Sequence, residues 1–257
     1  LVGSEMCIRD RPDGETFLRE WTSLVESKSG ERGIFNRISA KEQAKKFGRR
    51  DADHEFGCNP CSEIILRPYQ FCNLTEVVIR EKDKFDDLKR KVMLATILGT
   101  AQSTLTKFPY LRKIWNKNTE EERLLGVSLT GIMDNELTNG KKHGLEKTLT
   151  ALREIAVETN KEWSAIFGIP QSTAITCVKP SGTVSQLVDS SSGIHPRHSS
   201  YYIRTVRGDN KDPLTNFMID SGIPSEADFM KPDTQTVFSF PMTVSYTHLR
   251  AHETTVY

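Results

Sequence analysis

The sequence predicts an α/β fold, and three observations predict it. Short β-branched runs recur at residues 64–66, 74–79, 126–131 and 174–178. Two long stretches with helical apolar spacing, 85–107 and 145–167, alternate with them. Each stretch ends at helix-stopping residues, Pro109 for the first and Gly168 with Pro170 for the second. The 257 residues, 37% of them hydrophobic, suffice for one sizeable core or two small ones. A net charge of +1 gives no reason to expect nucleic acid or a membrane surface as partner. No apolar run approaches the roughly eighteen residues that span a bilayer. Five unevenly spaced cysteines do not read as a secreted disulfide framework, so a reducing cytoplasm is expected.

In chain order, residues 1–11 and 244–257 continue none of their neighbours' periodicity and resemble translated sequencing-adapter sequence. They are set apart, and 12–243 is the expected folded region. Between Gly14 and Ser27, the side chains of Phe17, Trp21, Leu24 and Val25 form one helical stripe. Ser39-Ala40-Lys41-Glu42 has capping-box spacing and predicts a short helix stopped near Gly48. The charged run 49–55 reads as a solvated loop. Asp83 is the expected cap of the 85–107 helix, with Leu88, Val92, Ala95, Leu98, Ala101 and Leu105 on its buried face. Thr119-Glu120-Glu121-Glu122 is a second capping-box pattern, expected to open a helix. In 145–167, Leu149, Leu152, Ile155, Trp163 and Ile166 should face inward.

The chemistry-bearing stretch is Asn59-Pro60-Cys61-Ser62-Glu63-Ile64-Ile65-Leu66, with Cys72 eleven residues after Cys61. Pro60 has no N–H and biases Asn59 away from helix, so the stretch reads as a loop tip entering a strand. Side chains two apart on extended backbone share a side, so Asn59, Cys61 and Glu63 are expected to converge. Several readings of the cysteines stand on the residues alone. A thiol between an amide and a base suits chemistry at a hydroxyl-bearing carbon. A non-catalytic zinc-binding module using His54, Cys58, Cys61 and Cys72 is the alternative, although a second C-x2-C is lacking. A Cys58–Cys61 redox pair would want a helix start that Pro60 and the β-branched residues do not supply. Ordinary buried thiols are the plainest reading.

Downstream, the apolar run 174–178 leads into Pro180-Ser181-Gly182-Thr183. Successive N–H groups from Ser181 to Thr183, with Gly182 free to take positive φ, would form an anion-binding nest. Ser and Thr hydroxyls would add donors, and a helix starting at Thr183 would add its dipole. Such turns are common, and the Gly-Lys-Ser/Thr of a P-loop is lacking. Cys177 reads as core. His195, Arg197 and His198 lack a third ligand at good spacing, so no metal is expected there, and no role follows for either histidine.

The run Asn59-Pro60-Cys61-Ser62-Glu63-Ile64, followed by Cys72-Asn73-Leu74, resembles the finger loop of the large ribonucleotide reductase chain. The proline between Asn59 and Cys61 points to the adenosylcobalamin-dependent class. Lys179-Pro180-Ser181-Gly182-Thr183-Val184-Ser185 is similar to the loop that holds substrate phosphates in that class. Residues 126–131 resemble a segment of the same reductases, and 190–198 resemble their triphosphate-reducing branch. The resemblance covers most of 14–243. It implies the later strands of a ten-stranded α/β barrel whose centre receives the finger loop, with 12–243 as a partial catalytic barrel domain. It further implies that Cys61 becomes a thiyl radical and removes the 3'-hydrogen of the substrate ribose. Glu63 would then be the base on the 3'-hydroxyl, Asn59 would hold the sugar, and Cys72 would be half of the dithiol that reduces the 2'-carbon. Pro180, Ser181, Gly182 and Thr183 would meet the phosphates. The implied cofactor is adenosylcobalamin, the substrate a ribonucleoside triphosphate, and the electron donor a thioredoxin-like protein or a small dithiol. The family's partner for Cys72 lies upstream of anything present, so the chain is expected to be a fragment, inactive alone.

Overall fold

A computed structural model describes residues 13–28 and 33–243; the expectations for 1–11 and 244–257 fall outside the described residues. In chain order come helices α1 (Gly14–Ser27) and α2 (Arg37–Lys45), then strands β1 (Gly57–Cys58), β2 (Ile65–Leu66) and β3 (Asn73–Val78). Helices α3 (Phe85–Gln102) and α4 (Lys113–Glu122) follow, then β4 (Leu125–Thr130), α5 (Leu145–Phe167) and α6 (Val184–Leu187). The last elements are β5 (Tyr201–Asp209), α7 (Pro213–Asp220), β6 (Ser225–Ala227) and β7 (Gln235–Thr243). The chain divides between His195 and Pro196 into two compact units.

The first unit is built on parallel strands. β3 pairs with β4 from Asn73↔Leu125 to Val78↔Thr130. On the other side of β4, residues 174–177 add a third parallel track: Leu125 N–H donates to Ala174 O at 3.0 Å, Val127 N–H to Ile175 O at 2.8 Å, and Cys177 N–H to Val127 O at 3.1 Å. Parallel neighbours need long crossovers, and α3 with α4, then α5, supply them. Alternation along each strand divides the sheet into two faces. On one, Val77, Leu125, Val127 and Ile175 pack with Leu88 and Val92 of α3 and with Leu152 and Ala156 of α5. Each large apolar side chain buried there contributes about 1.5–3 kcal/mol. The opposite face carries Leu74, Glu76, Gly126 and Ser128. A Cβ on Gly126 would lie 2.4 Å from Leu74 Cδ2 and 3.1 Å from both Ile64 Cδ1 and Cys177 Sγ. The β1–β2 hairpin therefore lies against this helix-free face, and only glycine leaves room for it.

The α/β architecture is as the alternation predicts. Among the described residues the sheets hold two, two and three strands, and none closes on itself. Several local expectations are corrected. Asn36, not Ser39, caps α2: its Oδ1 accepts from Ile38 N–H at 2.9 Å and Ser39 N–H at 3.1 Å, which starts the helix earlier. Asp83 is not the cap of α3, since its carboxylate is taken by Arg80 N–H and the Lys91 ammonium. Lys84 occupies the cap position instead, and its N–H donates to Asp87 Oδ2 at 2.9 Å. Thr119–Glu122 closes α4 rather than opening a helix, because Arg123 takes a left-handed φ of 44° and its N–H bonds back to Thr119 O.

The buried faces of the long helices are also rotated from the apolar count. Leu98, Leu105, Leu149 and Ile166 are exposed, and Thr96, Gly99, Thr100, Thr159, Asn160 and Ser164 face inward. Thr96 and Thr100 donate to carbonyls four residues back, at 2.8 and 2.7 Å, so their hydroxyls enter the core already paired. Asn160 bonds Thr100 Oγ1 and Ser172 Oγ at 3.0 Å each and accepts from Ser172 N–H at 2.9 Å. Small, self-satisfied polar residues let α3 and α5 approach closely, which larger apolar ones would not. The α1 stripe forms, with Phe17 and Trp21 stacked at 6.1 Å, yet none of its residues is buried among the described residues.

The second unit is an antiparallel sheet of order β5-β7-β6. Phe238 and Val237 of β7 form its buried centre, and Gly208 sits against Thr215 of α7.

Candidate active site

Residues 59–64 form the tip of the β1–β2 hairpin, whose registered pairs are Gly57↔Leu66 and Cys58↔Ile65. Asn59 closes the tip from three atoms. Its N–H donates to Ile64 O at 3.3 Å, its Oδ1 accepts from Ile64 N–H at 3.0 Å, and its carbonyl accepts from Ser62 N–H at 2.9 Å. Pro60 and Cys61 are the turn, and Ser62 takes a left-handed φ of 61°. The backbone from Asn59 to Glu63 is therefore not extended, and the alternation argument for those three residues is corrected. A loop tip is what Pro60 predicts, but its shape comes from the Asn59 side chain, which is spent on the loop itself.

Cys61 is exposed at this tip and has no hydrogen-bond partner among the described residues. Glu63 is half-buried, and its Oε2 is enclosed without a hydrogen-bond partner. Ile64 is buried against the sheet face at Gly126 and fixes the depth of the tip. Glu63, Cys72 and Cys177 interact electrostatically. Burial first, and then the Glu63 charge, push the Cys72 thiol up to about 11. Burial, then Glu63 and Cys72, with Lys179 opposing, push Cys177 up to about 12. The structure thus brings Cys72 and Glu63 together and adds Cys177, a residue that reads from sequence as core. Cys58 contacts Ser62 Oγ at 3.4 Å, across the base of the tip. A cleft of about 380 Å³, lined by Phe56, Cys58, Arg67, Tyr69 and Trp115, does not include Asn59, Cys61 or Glu63 among its lining residues.

These environments predict an order of alkylation. At pH 8 a thiol with a pKa of about 11 is thiolate in only about one molecule in a thousand, and one near 12 less still. Iodoacetamide should therefore modify exposed Cys61 first, with Cys72 and then Cys177 following only in strong alkali or denaturant. Peptide mass mapping over time checks this; early labelling of Cys177 would contradict the buried site.

The zinc alternative is corrected. Among the described residues no group of three His, Cys, Asp or Glu side chains is placed to hold a metal. His54 instead lies 3.5 Å from Asp51 and packs edge-on to Phe56.

The Pro180–Thr183 turn follows the 174–177 track. Gly182 takes a φ of 56°, as a nest requires, and the N–H groups of Ser181, Gly182 and Thr183 have no acceptor among the described residues. The helix after Thr183 is only four residues long, so the expected dipole contribution falls away. Ser181 is buried, with its hydroxyl turned to Glu76. Glu76 is a residue that the motif does not contain; a carboxylate inside a β-rich run is the signal that was there. A second missed group is the buried pair of Arg50 with Glu122, both nitrogen–oxygen distances being 2.8 Å, which also holds Ile65 O at 2.8 Å. The charged run 49–55, expected as solvated loop, therefore contains a buried anchor of the hairpin. Among the described residues, His195 and His198 are not brought to a metal-ligand set.

No protein-family profile matches the chain. The adenosylcobalamin-dependent ribonucleoside-triphosphate reductase of Lactobacillus gasseri is 31% identical over 249 aligned positions, covering 83% of this chain and 32% of that protein. The protein of the same name from Euglena gracilis is 28% identical, covering 93% of this chain and 30% of its own length. Among solved structures, a B-12 dependent (class II) ribonucleotide reductase superposes with a TM-score of 0.59 at 27% identity, over 73% of this chain and 29% of that one. The class Id ribonucleotide reductase alpha subunit of Actinobacillus ureae, at TM-score 0.50 and 19% identity, covers 81% of this chain and 44% of its own, and supports the fold alone. The chain spans about a third of the length of the curated relatives it matches. By sequence and by structure, it belongs to the family of the adenosylcobalamin-dependent ribonucleoside-triphosphate reductases.

Proposed function

We propose that this chain supplies the radical-bearing part of a ribonucleoside-triphosphate reductase that uses adenosylcobalamin and a thioredoxin-like or dithiol donor. The single observation that carries the reading is the hairpin tip: an exposed thiol two residues from a carboxylate whose enclosed oxygen has no partner and which interacts with a second thiol. An unpaired buried carboxylate oxygen is costly, and a ligand hydroxyl would satisfy it. The arrangement of β3, β4 and 174–177, with helices on one face and the hairpin on the other, fits the later strands of a ten-stranded barrel seen from its inside. In this reading 12–243 belongs to that catalytic domain, 1–11 and 244–257 lie outside it, and the protein works in the cytoplasm.

The residues present fit the cofactor at one point, the Cys61 thiol, which is exposed at the tip and has no hydrogen-bond partner among the described residues. Adenosylcobalamin, when bound, supplies the radical by homolysis, which is the difficult chemistry. Cys61 then exchanges hydrogen with the 3'-carbon of the ribose. Glu63 Oε2 takes the 3'-hydroxyl proton, and a proton from the dithiol lets the 2'-hydroxyl leave as water. Cys72, with a second thiol, gives the two electrons, and the disulfide so formed is reduced by exchange with the donor. Asn59 keeps the tip closed in the conformation that meets the sugar. The Pro180–Thr183 amides take the phosphates, so that a single hydrogen is within reach. No described helix is long and apolar enough to cross a membrane.

The test replaces the matching third of the Lactobacillus gasseri relative with this segment and measures deoxynucleotide formation with adenosylcobalamin and a dithiol. Product that depends on both is the expected result. A folded graft that binds cofactor and substrate but forms no product would overturn the reading.

A further inference from the structure

We propose that Glu76 is a positioning residue for the 180–183 turn, so that the turn's backbone N–H groups, and not the Ser181 hydroxyl, meet a phosphate group. This rests on the assignment of that turn to substrate phosphates. Glu76 sits on the helix-free face of β3, opposite Ser128 in register, with its side chain only 10% exposed. A carboxylate in that position is costly unless its oxygens are paired. Ser181 Oγ donates to Oε1, and the Lys179 ammonium stands 3.5 Å from Oε2.

The Ser181 hydroxyl has one proton, and Glu76 takes it. Its oxygen also accepts from Ser185 N–H at 3.0 Å, and the residue is 2% exposed. No donor is left for a ligand on that side chain. Lys179 is likewise drawn inward, to Glu76 and to Pro180 O at 3.1 Å. The N–H groups of Ser181, Gly182 and Thr183 remain without acceptors among the described residues, in the left-handed turn that aligns them. One carboxylate thus withdraws the hydroxyl and holds the turn in shape. Glu76 and Ser181 should therefore act as a unit, through binding rather than chemistry.

The test is a double-mutant cycle in the same graft, reading steady-state kinetics and calorimetric affinity for a ribonucleoside triphosphate. Glu76→Ala should raise KM and Kd about tenfold while kcat stays within about twofold, the scale of one lost hydrogen-bonded constraint. Ser181→Ala should do the same, and the double variant should be no worse than the more affected single one. Glu76→Gln keeps the size and an acceptor for Ser181, and should stay within about threefold of the parent. Unchanged affinity in Glu76→Ala would overturn the proposal. So would effects of Glu76 and Ser181 that multiply, or a fall in kcat at constant KM. If Glu76→Ala does not melt cooperatively, the cycle of Glu76→Leu, which keeps the bulk but has no acceptor, with Ser181→Ala decides by the same rule: a Ser181→Ala effect independent of position 76 overturns it. Should the parent graft bind nucleotide but form no product, the reductase reading fails, while the affinity arm still decides the role of Glu76.

Discussion

Cys61→Ser in the graft should abolish deoxynucleotide formation, by roughly four orders of magnitude or more, the scale on which loss of an essential reacting group reads. The reason is chemical. A serine hydroxyl holds its hydrogen far more tightly than a thiol and does not serve as a hydrogen-atom carrier. The structure makes the result clean to interpret, because the Cys61 side chain is exposed and touches no hydrogen-bonding partner among the described residues. Surface substitutions of that kind stay within about 0.5 kcal/mol of parental stability. Lost activity with an unchanged melting curve is therefore the expected pair of observations. Retained activity would show that the radical resides elsewhere.

The second large effect concerns stability. Arg50→Ala should cost about 3–5 kcal/mol, measured by urea unfolding of the chain, because it leaves a carboxylate buried without its cation. Arg50 and Glu122 side chains are 4% and 5% exposed, and the guanidinium grips both Glu122 oxygens. Gln70 also donates to Glu122, and Arg50 lies 4.7 Å over the Phe56 ring. The same guanidinium holds Ile65 O, so the hairpin should loosen together with the pair. Burial raises the Glu122 pKa, but the Arg50 bond and charge, then Gln70 and Arg67, outweigh it and leave the carboxyl below its ordinary value. A depressed folded-state pKa gives stability that is fully present above the unfolded value of about 4.3 and is lost as pH falls through the folded one. Parent stability should therefore drop below about pH 4 with a component that Arg50→Ala lacks. Equal pH slopes for the two would remove the pair from the account.

The hairpin tip shows how far the residues alone carry. Pro60 between Asn59 and Cys61 marks a loop tip, and the run from Asn59 to Ile64 with Cys72-Asn73-Leu74 behind it carries the family resemblance; both hold. The convergence argument fails at Ser62, because the Asn59 carboxamide bonds Ile64 N–H and folds the backbone into a turn that no period-two pattern contains. Cap choice behaves alike. Asn36 and Ser39 are both competent, and the partner amides available in three dimensions select Asn36.

The sequence by itself determined the alternation of strands and helices, the boundaries of the long helix 145–167, the loop tip at Pro60 and the glycine-bearing turn 180–183. These depend on local periodicity, on proline and glycine geometry, and on a motif within a few residues. Only the tertiary structure decided which polar side chains went inside. Thr96, Thr100 and Asn160 occupy the helix interface, Arg50 finds Glu122 across 72 residues, and Glu76 finds Ser181 across 105. The physical reason is the cost of desolvation. A buried polar group is tolerated where a partner arrives, and when that partner comes from a distant part of the chain, nothing in its neighbours' spacing announces it.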